Sequence, residues 1–322
     1  MTRSVFFKSA FLMLTLGSTL AEAQLLKPRM DLLGGDAYFR RFVYASAGEY
    51  QIDGHRLTIT EKLGVATRFM LTMPNSNIDQ MIQALNHMGG YGNDPQYANQ
   101  MKTFLQKNQS KINSTSGFVF HDSFNAYTIT AKNNGYVVTL ERHQFQNYSF
   151  PNTSFTTAAP NARLNIHIFN DFQCAQCRSM WNNQLPNWIK EASKLGVGIK
   201  MYHAPQEHNE HAFKMAVVSE CAGRQGKFWD FAHLAFSDWS WVRQTPEQVE
   251  NWISGAANTL KLNAATFAAC RKDAATETLV KNQMFSSESL FPGNMPAIYV
   301  GGFQVQNPTD WNEISLLIQL AK

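Results

Sequence analysis

The chain has 322 residues, 44% of them hydrophobic, which is enough for two domains with cores of their own. Its 28 Lys and Arg against 24 Asp and Glu include no block of like charge. Nothing in that balance suits a nucleic acid or an anionic surface as partner.

Arg3 and Lys8 precede the apolar stretch AFLMLTLGSTLA, which is too short to span a bilayer and ends in Ala21-Glu22-Ala23. The pattern predicts a signal peptide over 1–23, cleaved after Ala23, and an exported protein with no stable membrane anchor. Residues 24–147 read as a smaller α+β domain. YQIDGHRLTIT is a hairpin signal turning at Asp53-Gly54, and VATRFMLTM is a further strand. Ile78, Met81, Ile82 and Leu85 have helical spacing, closed by Gly89-Gly90. Asp94 and Pro95 open a second helix, and a second hairpin is expected to turn at Asn134-Gly135. The histidines of this half are scattered and carry no metal-ligand spacing.

Residues 148–161, YSFPNTSFTTAAPN, lack an apolar period and read as an interdomain linker. Residues 162–322 then run strand, helix, strand, helical insertion, strand, strand, helix. The insertion spans about 210–285, with Thr245, Pro246 and Gln248 as an internal capping box. Pro186 is expected to kink the helix that starts near Cys174. The last helix, from Asp310 to Leu320, is expected to be capped by Thr309.

All four cysteines lie in this second half, and an even number in an exported chain suggests disulfides. Cys174 and Cys177, in FNDFQCAQC, stand two residues apart where a helix follows a strand. The free amides and dipole of a helix start stabilise a thiolate on the first cysteine. Cys174 would be the exposed attacking sulfur and Cys177 the resolving one. Half of a zinc site is the other use of such a pair, but a structural site usually needs a second pair, which this chain lacks. His203, His208 and His211 make a metal site with Cys174 conceivable; polar surface or capping roles explain them more simply. Met295-Pro296, between a Gly-Asn turn and the strand AIYVGG, is a natural place for a cis peptide.

Three stretches in order, FNDFQCAQC, HNEHAFKMAVVSECAGRQGKFWDFAHLAF and GNMPAIYVGG, make residues 162–322 resemble the DsbA-like branch of the thioredoxin superfamily. The resemblance implies an α/β thioredoxin-like domain with a helical insertion, following the smaller α+β domain. It further implies Cys174 as nucleophile, Cys177 as resolving cysteine, and Met295-Pro296 on the substrate-binding edge. Related proteins often carry a second, structural disulfide where Cys221 and Cys270 stand; two free buried cysteines are the alternative. There are departures. Ile168 occupies the position where the family often holds a buried acid, and Asp171 is given only a supporting role. The dipeptide Ala175-Gln176 lacks the histidine of strongly oxidising members. Phe172 is the aromatic expected to be exposed for substrate contact.

The expected function is an exported thiol–disulfide oxidoreductase, periplasmic or secreted in a bacterium, acting as an oxidase on cysteine-containing exported proteins. It would use no cofactor or metal and would be recycled by a redox partner the sequence does not identify. Two alternatives stay open: an isomerase or reductase made a homodimer by the N-terminal domain, and a non-catalytic exported metal-binding or chaperone-like protein.

Overall fold

The chain forms two units, Met1–Gln144 and Phe145–Lys322. The computed structural model describes residues 10–11, 24–114, 117–146, 150–290 and 295–322. The expected signal peptide lies outside the described residues apart from Ala10–Phe11. Among the described residues, no helix is long and apolar enough to cross a membrane.

The first unit is built on an eight-stranded sheet in the order β1-β6-β7-β8-β5-β4-β3-β2. The strands are β1 (Ala10–Phe11), β2 (Val43–Ser46), β3 (Glu49–Ile52), β4 (His55–Lys62), β5 (Val65–Met73), β6 (Phe118–His121), β7 (Asn125–Lys132) and β8 (Gly135–Arg142). Helices α1 (Arg29–Gly35), α2 (Ile78–Gly89), α3 (Pro95–Lys107) and α4 (Gln109–Ile112) accompany it. The Asn77 side chain accepts the Asp79 and Gln80 amides to start α2, and Gly90 ends it at φ 88°. Asp94 caps α3 in the same way, with Pro95 in its first turn. Met81, Leu85, Met101 and Leu105 join Phe69, Leu71, Val138 and Leu140 of the sheet in one core.

The second hairpin turns one residue earlier than the sequence suggests. Asn133 and Asn134 both take positive φ, and Gly135 already pairs with Lys132 as the first residue of β8. That glycine is required for another reason: a Cβ there would collide with the Met73 carbonyl.

The second unit holds a five-stranded sheet in the order β13-β12-β10-β11-β9. Its strands are β9 (Thr156–Ala158), β10 (Asn165–Asn170), β11 (Gly198–His203), β12 (Ala297–Val300) and β13 (Phe303–Gln304). The central β10 runs parallel to β11 and antiparallel to β12. The stretch read as a linker is therefore in part a strand, since Thr156–Ala158 pairs with Gly198–Lys200. Its polar composition hid two anchors: Phe155 stacks on Phe228 at 3.7 Å and Phe150 on His167 at 4.1 Å. Gly198 makes the close approach of β9 possible, because a Cβ there would meet the Asn165 amide oxygen and stand 2.8 Å from the Ala159 carbonyl. Gly198→Ala is expected to cost about 1–3 kcal/mol, the usual range for overpacking, seen as a lower denaturant midpoint at unchanged slope.

After β10 come α5 (Ala175–Ser179), a π-helical turn over Met180–Gln184, and α6 (Leu185–Lys194). Pro186 sits in the first turn of α6, and the helix meets its missing donor by widening just ahead of it. Between β11 and β12 lies the insertion: α7 (Ala212–Gly223), α8 (Phe228–Ser237), a 3₁₀ turn at Trp239–Arg243, α9 (Pro246–Thr259), α10 (Ala264–Arg271) and α11 (Ala274–Leu290). Thr245 and Gln248 form the capping box of α9. The final helix, α12 (Trp311–Ala321), is capped by Asp310 and not by Thr309, whose hydroxyl donates to Asn307 Oδ1 instead.

Burial depresses two imidazoles to about 3, His143 in the first unit and His167 on β10. Both are neutral in the folded protein, so their stability is fully present above the ordinary histidine pKa of about 6.5. As pH falls from there, the unfolded chain takes up protons that the fold refuses, until the folded pKa is reached. Each site then adds a slope of up to about 1.4 kcal/mol per pH unit. Urea unfolding between pH 7 and 4 should show this loss, and His167→Gln should flatten it.

Candidate active site

The register of the central sheet brings two distant stretches together. Phe169 of β10 pairs with Ala297 of β12, so the chain leaving β10 towards Cys174 lies beside the chain entering β12 through Met295-Pro296. The Met295–Pro296 peptide is cis. The Gly293-Asn294 turn expected ahead of it lies outside the described residues.

Cys174 is the N-cap of α5, and its Sγ accepts the Cys177 amide at 3.2 Å. As a thiol, it also donates to the Met295 carbonyl oxygen at 3.2 Å. The two cysteines are free, Cys174 half-buried and Cys177 fully buried. A hydrogen bond from the Cys177 thiol, joined by the helix-start amides, holds the Cys174 pKa below the usual thiol range. Burial, together with that same bond, pushes Cys177 well up. The pair thus separates into one sulfur ready to ionise and one held protonated.

Asp171 is buried three residues before Cys174. Its Oδ1 accepts the Gln173 amide at 2.7 Å, and its Oδ2 accepts Gln206 N–H at 2.9 Å and Asn209 Nδ2 at 2.7 Å. Burial raises its pKa against those three donors. Gln173 fastens the same loop to the insertion: its Nε2 donates to the Val242 carbonyl and its Oε1 accepts the His211 amide. Ile168, in the middle of β10, is fully buried.

Phe172 is not exposed. It is 1% accessible, its ring stacked on Phe236 at 5.0 Å and set edge-on to Phe231 at 6.1 Å. The half-buried aromatic beside the motif is Trp239, whose indole N–H donates to the Phe172 carbonyl at 3.0 Å and whose face carries the Arg178 guanidinium at 5.0 Å. The sequence signal for it was weak: one tryptophan among several in the insertion.

Cys221 of α7 and Cys270 of α10 are bridged. Two of the three histidines considered as metal ligands, His203 and His211, have other partners. His203 is buried with Nε2 at 3.1 Å from Glu220 Oε1, and His211 Nε2 lies 2.9 Å from the Gln244 carbonyl. Among the described residues, no group of three or more His, Cys, Asp and Glu could hold a metal ion.

Solved structures are similar to part of this chain at low identity. The thiol-disulfide exchange protein alpha-DsbA2 from Wolbachia pipientis is 18% identical over 55% of this chain and 89% of its own, with a TM-score of 0.44. BdbD from Bacillus subtilis, in its oxidised form, is 19% identical over 55% and 95%, at 0.45. A thioredoxin-like oxidoreductase from Silicibacter pomeroyi is 16% identical over 55% and 98%, at 0.45. No curated protein matches the chain. The family model described as thioredoxin matches residues 151–319, the unit that carries β9 to α12 and both motif cysteines. The chain belongs to the thioredoxin family.

Proposed function

We propose that the protein is an exported thiol–disulfide oxidoreductase of the DsbA-like kind, with Cys174 as nucleophile and Cys177 as resolving cysteine. The observation that carries this is the asymmetry of the pair: a reachable sulfur at a helix start, its pKa held down, over a fully buried partner whose pKa is pushed up. In the oxidase direction a substrate thiolate attacks Cys174 Sγ of the Cys174–Cys177 disulfide. The new bond joins substrate to Cys174, and the electron pair of the broken bond leaves on Cys177, which takes a proton. A second substrate cysteine, as thiolate, attacks the first substrate sulfur and releases Cys174. The substrate has then lost two electrons and two protons, and the enzyme is a dithiol.

Met295 and Pro296 form the edge against which an extended substrate lies. The Met295 carbonyl, which the Cys174 thiol reaches in the reduced protein, is free to accept a substrate amide once Cys174 is in a mixed disulfide. Trp239 replaces Phe172 as the aromatic offered to substrate. Clients are cysteine-containing exported proteins, and the Cys221–Cys270 bridge supports an oxidising compartment such as the periplasm. The test is oxidation of a reduced two-cysteine peptide by the disulfide form, with insulin reduction by the dithiol form as the reverse assay. Rates no higher than those of glutathione at equal thiol would overturn the reading.

A further inference from the structure

We propose that Asp171 sets the redox poise of the Cys174–Cys177 couple, holding a buried negative charge in the turn that carries the nucleophile and thereby favouring the disulfide. The proposal rests on reading the pair as a thiol–disulfide couple. Asp171 is a tuning residue: it acts on the sulfurs through space and touches no substrate.

The geometry fixes the charge in place. The Cys174 amide donates to the Asp171 carbonyl at 3.2 Å, closing a turn with the carboxylate folded inside it. Three donors from two loops, Gln173 N–H, Gln206 N–H and Asn209 Nδ2, hold both carboxylate oxygens. With 1% exposure, water has almost no access to screen it. The ionisable groups acting on Cys174 include Cys177 and Asp171; the Asp171 carboxylate opposes a charge on either sulfur, while its backbone favours one on Cys177 through a hydrogen bond. His208 acts on Asp171 itself, in the direction that favours the ionised carboxylate.

Cys174 therefore sits between opposed influences. The Cys177 thiol and the α5 amides favour its thiolate, while Asp171 disfavours it. A charge that destabilises the thiolate destabilises the reduced protein, so the couple is more reducing than the helix start alone would make it. The acid stands three residues before the first cysteine at the end of β10, whereas residue 168 within the strand is an isoleucine.

The experiment equilibrates full-length protein with reduced and oxidised glutathione. Two glutathione thiols reduce one protein disulfide, passing two electrons and two protons and leaving glutathione disulfide. Asp171→Asn should lower the Cys174 pKa, followed by thiolate absorbance. At a pH above that pKa it should shift the equilibrium about tenfold toward the dithiol, or about 30 mV toward a more oxidising couple. Asp171→Ser also removes the charge and keeps an acceptor for the Gln173 amide, so it serves where the asparagine variant does not fold. Asn209→Ala cuts one tether and leaves the charge; it should lower the melting temperature without an oxidising shift. An unchanged potential in both charge-removing variants overturns the proposal, as does an equal oxidising shift in Asn209→Ala. If wild-type protein forms no Cys174–Cys177 disulfide in this assay, the functional reading itself fails, a result distinct from either.

Discussion

Cys174→Ser is expected to abolish both dithiol oxidation and insulin reduction, a loss of roughly 10³-fold or more, because no other described sulfur can replace the nucleophile. Cys177 is fully buried, and Cys221 and Cys270 are joined to each other. A serine hydroxyl retains the shape of the N-cap and its bond to the Cys177 amide, so the fold should survive and the melting temperature should hold. Cys177→Ser should behave differently. Cys174 can still attack a substrate disulfide, but nothing then releases the product, so mixed disulfides should accumulate and be visible by mass. Turnover by Cys174→Ser would exclude the mechanism.

The second large effect concerns the other cysteine pair. Replacing Cys221 and Cys270 together by alanine reopens a loop of 49 residues, which the chain-entropy estimate values at about 4 kcal/mol. For a unit of this size that corresponds to a fall in melting temperature of roughly 8–16 °C. The bridge ties α7 to α10, and on α7 Cys221 stands ten residues beyond His211, the motif loop's anchor at that helix's N-cap. The potential of the Cys174–Cys177 couple should therefore stay within about 10 mV of wild type, well below the 30 mV of a tenfold change. A potential that moves with the bridge would show that the insertion transmits strain to the site.

Much of the site was legible because its signals are local. Cys174, two intervening residues and a strand before them suffice to place a sulfur on a helix start. Met295-Pro296 ahead of a strand suffices to place the second edge. What failed was settled by partners far along the chain. Phe172 looks exposed from its neighbours, yet Phe231 and Phe236 of α8 enclose it. Residues 156–158 look like spacer, yet β11 had an unpaired edge for them to fill. Trp239 could be singled out only once its indole was seen on the Phe172 carbonyl. In the last helix the choice between Thr309 and Asp310 depended on one hydroxyl being taken by Asn307. In the first unit the two hairpins, the strand at 65–73 and the capped helices were readable; strands β1, β2 and β6 of its sheet were not, and neither was its role.

In the proposed reaction, the complete enclosure of Cys177 would set which sulfur is struck and how readily the other one leaves. An incoming thiolate has a single sulfur it can strike, so the first encounter has one outcome. The sulfur expelled, however, is a poor leaving group whose escape must be matched by a proton, and the same group attacks sluggishly in the return step. Return of the covalent adduct to the starting disulfide should therefore be slow, and alkaline conditions should speed it by baring the hidden sulfur.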